Sequence, residues 1–138
     1  MMIRLIYASS ATIAFNENNL MQLLGVCRAN NEKLDVSGLL LYSKENFFQI
    51  LEGEEDVVEK LYADIALDTR HIGAIVIDRS EIEQRSFPNW SMGFKNLETF
   101  DKRKLRGYTN LFDRKLSKEE FGNLGQDIVY LIEMFKEM

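Results

Sequence analysis

A glutamine in the middle of an apolar run is the first residue that asks for a chemical explanation. Gln49 stands in Phe47-Phe48-Gln49-Ile50-Leu51-Glu52, among side chains that belong in a core. An unpaired buried amide costs roughly 1–3 kcal/mol, and this one brings two donors and an acceptor. Tyr7 follows Ile3 and Leu5 at strand spacing, so its hydroxyl is carried on the same apolar face. A tyrosine hydroxyl meets only part of the amide's needs, and the pair requires a third, polar partner. Asn30-Asn31 closes one helical stretch and Arg70-His71 stands near the end of another. Taken singly, the two amides read as C-terminal caps, and Arg70 and His71 as cations favoured by a helix dipole. Together they line a groove with Tyr7 and Gln49 as its floor, where a planar polar ligand would satisfy all of them. Trp90 and Met92 share one side of an extended strand, a spacing that ordinary edge packing explains equally well.

The elements that must position these residues follow from hydrophobic periodicity. Ile3 to Ser9 reads as a strand, and Asn16 to Asn31 as a helix with Asn16 as N-cap and Leu20, Leu23, Leu24 and Cys27 as its stripe. Val36 to Tyr42 and Phe47 to Glu52 read as a hairpin around Lys44-Glu45-Asn46. A second helix is expected over Glu55 to Asp68, a buried strand over Ala74 to Ile77, and a last strand over Ser91 to Leu97. The order β-α-β-β-α-β plus one strand is the ferredoxin-like α+β pattern, with both helices on one face of the sheet. In it the first and third strands are expected side by side and parallel, which makes Tyr7 and Gln49 neighbours. From Asp101 onward a short helix to Leu105 and a longer one opened by the capping box Ser117-Lys118-Glu119-Glu120 are expected. The chain thus divides into a domain over 1–97 and a helical extension over 98–138.

Composition narrows the function. A net charge of -5 disfavours direct nucleic-acid binding, and the run Lys102-Arg103-Lys104 with Arg106 reads as a solvated helix face. One cysteine, Cys27, allows no internal disulfide, and one histidine with one cysteine argues against a His- or Cys-built metal site. No apolar run approaches a membrane span, and a cytoplasmic protein is the plain reading. Cys27, on the helical stripe, reads as a small buried hydrophobe.

The motifs Ile6-Tyr7-Ala8-Ser9, Asn30-Asn31 with Val36-Ser37-Gly38, Phe47-Phe48-Gln49-Ile50-Leu51-Glu52-Gly53, Asp68-Thr69-Arg70-His71 and Phe87-Pro88-Asn89-Trp90-Ser91-Met92, in this order, resemble the BLUF photoreceptor domain. The resemblance runs from Ile3 to about Leu97. It implies a blue-light sensor and not an enzyme, holding a flavin, usually FAD with FMN left open, non-covalently between the two helices. By motif match Tyr7 is the electron and proton donor, and Gln49 bridges Tyr7 and the flavin edge. Asn31 then bonds the ring carbonyl and N3 edge with Asn30 beside it, and Arg70 and His71 flank the ribityl and phosphate side. Trp90 and Met92 resemble the pair that reports the light state. The resemblance further implies a short stand-alone receptor that forms homo-oligomers and signals to a protein partner of unknown identity.

Two other classes are weighed against it. A ferredoxin-like hydrolase would need an activated water near an anion site, and the chain shows no Gly-rich phosphate loop or nucleophile–base motif. A ligand-free interaction domain conflicts with Tyr7, Asn31 and Gln49 occurring together. In the sensor reading, Met92→Ala is expected to alter the conformational or partner-binding response while leaving the light-induced spectral shift largely in place. Difference spectra and partner binding measured on the same sample check this.

Overall fold

The computed structural model describes residues 1–12, 15–88 and 91–96. The elements run β1 (Met2–Ala11), α1 (Glu17–Leu34), β2 (Ser37–Ser43), β3 (Asn46–Glu54), α2 (Glu55–Ala66), β4 (His71–Ile82) and β5 (Gly93–Asn96). They form a ferredoxin-like α+β fold whose one sheet has the order β4-β1-β3-β2-β5. Leu20 and Leu24 of α1 and Val58 and Leu61 of α2 share a core with Ile3, Leu5, Tyr7, Leu40 and Leu51. Both helices therefore cover the same face of the sheet. On the opposite face Ile6, Ala8, Leu39, Leu41, Phe48 and Ile50 are buried as well. The helices expected beyond Asp101, the 98–138 extension and Trp90 lie outside the described residues.

Strand direction corrects one expectation. β1 and β3 are adjacent but antiparallel, with Tyr7 directly opposite Gln49. The cause is the hairpin: α1 returns the chain so that β2 runs in the direction of β1, and the turn after β2 then reverses β3 against both. Lys44 and Glu45 make that turn with φ 50° and 65°. Two successive left-handed residues match the twist of a two-residue hairpin, and Asn46 joins the ladder opposite Ser43 instead of widening the loop.

The element ends move for identifiable reasons. Asn16 caps α1, accepting from the Asn19 backbone N–H at 2.8 Å. The other end runs past Asn30-Asn31 to Leu34, where Asp35 takes the left-handed cap conformation at φ 54°, ψ 43°. Both asparagines are thus inside the helix, and the capping reading for them is overturned. α2 stops at Ala66, which leaves Arg70 in a turn and His71 at the start of β4. β4 extends well beyond Ala74–Ile77, since an edge strand needs only one buried face and tolerates Asp78-Arg79-Ser80-Glu81. Register shifts between β1 and β4 fall on either side of Tyr7, and Gly73, at φ 66°, supplies the left-handed residue at the second.

Close approach dictates one glycine. A Cβ at Gly38 would lie 1.8 Å from the carbonyl oxygen of Ile50 on the neighbouring strand, whereas nothing lies within 4 Å of one at Gly25. Gly38→Ala is therefore expected to lower stability by about 1–3 kcal/mol or more through forced backbone separation. Gly25→Ala, in the middle of α1, is expected to raise stability by about 0.5–1 kcal/mol. Urea midpoints of the two variants against the parent check both signs.

Candidate functional site

Tyr7 and Gln49 lie on the floor of a cavity of about 480 Å³ between α1 and α2 that opens to solvent on one side, a size typical of small-molecule sites. Both side chains are buried. The Tyr7 hydroxyl donates a short hydrogen bond to Gln49 Oε1. On its other side the Gln49 amide donates from Nε2 to Met92 Sδ at 3.6 Å, a weak acceptor for a buried donor. Burial pushes the Tyr7 hydroxyl well above its ordinary 10, and Cys27, Tyr62 and Asp68 push the same way. Tyr7 therefore keeps its proton at neutral pH and acts as a donor. The rings of Tyr62 and His71 stand 5.2 and 6.2 Å from that of Tyr7 and fix its orientation.

The remaining residues come from helix α1 and from the turn after α2. Asn31, buried on α1, donates from Nδ2 to the Ser91 carbonyl at 2.9 Å. Asn30 lines the cavity from the same helix and stays exposed. Arg70 is held by Asp68, with Nε 2.9 and 3.1 Å from its two carboxylate oxygens. The Arg70 guanidinium pulls the Asp68 carboxyl down from 3.8 to about 2. Arg70 thus serves the turn and not the helix end. His71 does reach α2, its Nε2 donating to the Ile65 carbonyl at 2.6 Å. That bond leaves Nδ1, which is buried with no partner among the described residues.

Tyr7, Asn30, Asn31, Gln49, Arg70 and His71 are thus brought around one cavity, and Met92 touches Gln49. Sequence reasoning missed three participants. Ser9 lines the cavity, and its hydroxyl is buried without a partner among the described residues; strand alternation from Tyr7 was the signal that could have found it. Arg28 donates from Nε to the Met92 carbonyl at 2.9 Å, one helical turn before Asn31. Glu52 accepts two backbone N–H groups of the β4–β5 connection, which no local pattern announces. Burial raises the Cys27 thiol above its ordinary value, in keeping with a neutral packing role.

Comparison with known proteins places this geometry. Residues 2–93 match the family BLUF, sensors of blue-light using FAD. The chain belongs to the BLUF family. It is 33% identical over 101 residues, 72% of this chain, to the photoactivated adenylate cyclase subunit alpha of Euglena gracilis. It is 30% identical over 103 residues to the blue light- and temperature-regulated antirepressor BluF of Escherichia coli strain K12, covering 75% of this chain. The chain spans 10% of the first of these proteins and 24% of the second. Among solved structures, the BLUF protein BlrB in its dark state superposes with TM-score 0.75 at 27% identity, over 95% of this chain and 93% of that one. The photo-activated state of BlsA gives 0.76 at 28% identity, over 99% and 95%.

As a BLUF domain, the chain is a flavin-binding blue-light sensor. The donor set fits a flavin on its own terms: a cavity between two helices, amides at Asn30, Asn31 and Gln49, and buried groups at Ser9 and His71 that have no partner among the described residues. An isoalloxazine ring offers carbonyl, ring-nitrogen and N–H edges that these groups can meet.

The Asp68–Arg70 pair gives a pH signature. Asp68 is depressed in the folded chain, so its contribution to stability is present above the unfolded value and lost as pH falls from about 4 toward about 2. Arg70→Gln is expected to be less stable than the parent at pH 6, with the gap closing by about pH 2. Denaturation midpoints across that window measure it, and a constant gap would assign the Arg70 contribution to packing.

Proposed function

We propose that Tyr7, Asn31 and Gln49, with Asn30, Arg70 and His71 at the cavity wall, hold a flavin non-covalently and convert light into a rearrangement of the Gln49 amide. FAD is the flavin we assign; FMN shares the ring end that such a cavity grips. When bound, a flavin supplies blue-light absorption and an excited ring that takes up an electron. The observation that carries the reading is the buried chain from the Tyr7 hydroxyl through Gln49 to Met92.

The amide is asymmetric, and both its ends are in use. With Oε1 toward Tyr7 and Nε2 toward Met92, Tyr7 donates and the sulfur accepts. A half-turn of the amide presents an N–H to Tyr7, and its tautomerisation presents an O–H; either removes the acceptor that the Tyr7 hydroxyl had. Tyr7 must then become the acceptor, and after a half-turn Met92 loses the only kind of bond a thioether can take from an amide. The two arrangements differ in which group donates, at a position where an unmet donor costs roughly 1–3 kcal/mol. That difference is large enough to bias a two-state element such as the Met92 strand. Trp90, beside it in sequence, belongs to the same proposed reporter.

In this reading the domain transmits a signal and catalyses no reaction. Its output passes to a protein partner, consistent with relatives named as light-controlled cyclase subunits and an antirepressor. A homo-oligomer in the cytoplasm, without direct nucleic-acid or membrane contact, completes the proposal. Among the described residues no helix is long and apolar enough to cross a membrane.

The test is the absorption spectrum of the purified protein before and after blue illumination. The parent is expected to be yellow and to show a small, reversible red shift of the flavin band. Gln49→Leu and Tyr7→Phe are expected to keep the flavin and lose that shift. A shift that survives in Gln49→Leu would remove the amide from the mechanism.

A further inference from the structure

Glu52 is a carboxylate where strand alternation calls for an apolar side chain. It follows Phe48 and Ile50 on the face of β3 turned away from the cavity, and it is fully buried. Burying a carboxylate is costly unless hydrogen bonds replace its water. Here two backbone donors do so: Phe87 N–H to Oε1 at 2.9 Å and Ser86 N–H to Oε2 at 3.0 Å. Charged acceptors make such bonds about twice as strong as neutral ones. The same stretch is tied down twice more. Arg4, opposite Glu52 on β1, donates to Ser86 Oγ at 3.3 Å. Arg85 donates to Ser37 Oγ at 3.1 Å and to the Asp35 carbonyl at 2.7 Å.

Further along the same connection, on the cavity side, α1 takes hold. Asn31 and Arg28 bond the carbonyls of Ser91 and Met92, each at 2.9 Å. The link between β4 and β5 is therefore attached to the body at two places on opposite faces of the sheet. Met92, which meets Gln49, comes at the second attachment. Gln49 and Glu52 ride on one strand, so the backbone of β3 fixes the distance between the contact that Met92 must make and the carboxylate that holds its connection.

We infer that Glu52 is a positioning residue of the light response, setting from the far face of β3 where Met92 sits against Gln49, while Arg28 sets it from the helix side. The inference rests on the sensor reading above. Loosening either attachment shifts the thioether from its 3.6 Å contact with the amide. The half-turn of Gln49 then meets a different neighbour, and the return to the dark state proceeds at a different rate.

A double-mutant cycle on dark recovery after a blue flash tests this. Glu52→Gln keeps the shape and turns one acceptor into an amide that faces a backbone N–H. It is expected to change the recovery rate by about three-fold or more in the parent and by less than about 1.5-fold in a Met92→Ala background. Arg28→Leu, on the exposed side of α1, is expected to show the same dependence on Met92, and it decides the matter if Glu52→Gln does not fold. Equal fold-changes in both backgrounds, or parental rates in both variants, overturn the inference. A parent with no reversible red shift removes the sensor reading and the inference with it. A parent that shifts normally without the coupling removes the inference alone.

Discussion

The hydroxyl of Tyr7 and the amide of Gln49 meet across the centre of the β1–β3 pair, and the neighbouring structure is arranged around keeping two polar groups there. Such a pair is tolerable in a core only while each satisfies the other, because deleting one leaves its partner with the full desolvation cost. Within β1 and β3 themselves, Leu5 and Leu51 on the cavity face and Ile6 and Ile50 on the other are buried beside the pair, which limits its contact with water and strengthens what remains. Above it the helices stand apart, so the glutamine has room for a third partner while Tyr62 and His71 restrict the tyrosine ring. The pairing of β1 with β4 is irregular on either side of Tyr7, where bulges commonly re-aim a side chain.

The contact at the heart of the site was legible because the element order makes β1 and β3 neighbours and side-chain parity puts both residues on one face. Tyr7 shares a face with Ile3 and Leu5, and Gln49 with Phe47 and Leu51, whichever way the strands run. Parity does not report direction, and so the antiparallel arrangement escaped the reading. The start of α1 was legible because Asn16 is a capping residue with a local signature. Its end was not, because the left-handed position is taken by Asp35 and not by a glycine, and the polar tail Asn30-Asn31-Glu32-Lys33 imitates a terminus. The polar half of β4 was lost for a similar reason, since an edge strand is read as a loop when its exposed face is charged.

The polar attachments of the β4–β5 connection were illegible for a deeper cause. Glu52 and Arg28 bond backbone groups of residues remote in sequence. Main-chain donors and acceptors are the same at every position, so they leave no mark on the sequence of the segment being held. A resemblance in motif can place Glu52 beside Gln49 without revealing that it grips Ser86 and Phe87. Such interactions become visible only when each buried charge is asked where its hydrogen bonds go.

β5 is a four-residue strand that pairs in parallel with β2 at the edge of the described sheet. Parallel ladders are slightly weaker per residue than antiparallel ones, and each bond contributes only about 1 kcal/mol net. The central strands, ten and nine residues long, are paired on both sides. Among the described strands the pairing is therefore graded, strongest at the centre and weakest in the short strip that begins beside Met92. A tenfold change in its detached population takes only about 1.4 kcal/mol. An energy of that size is within what the proposed rearrangement of one amide supplies, so a sub-global opening would need no melting of the domain.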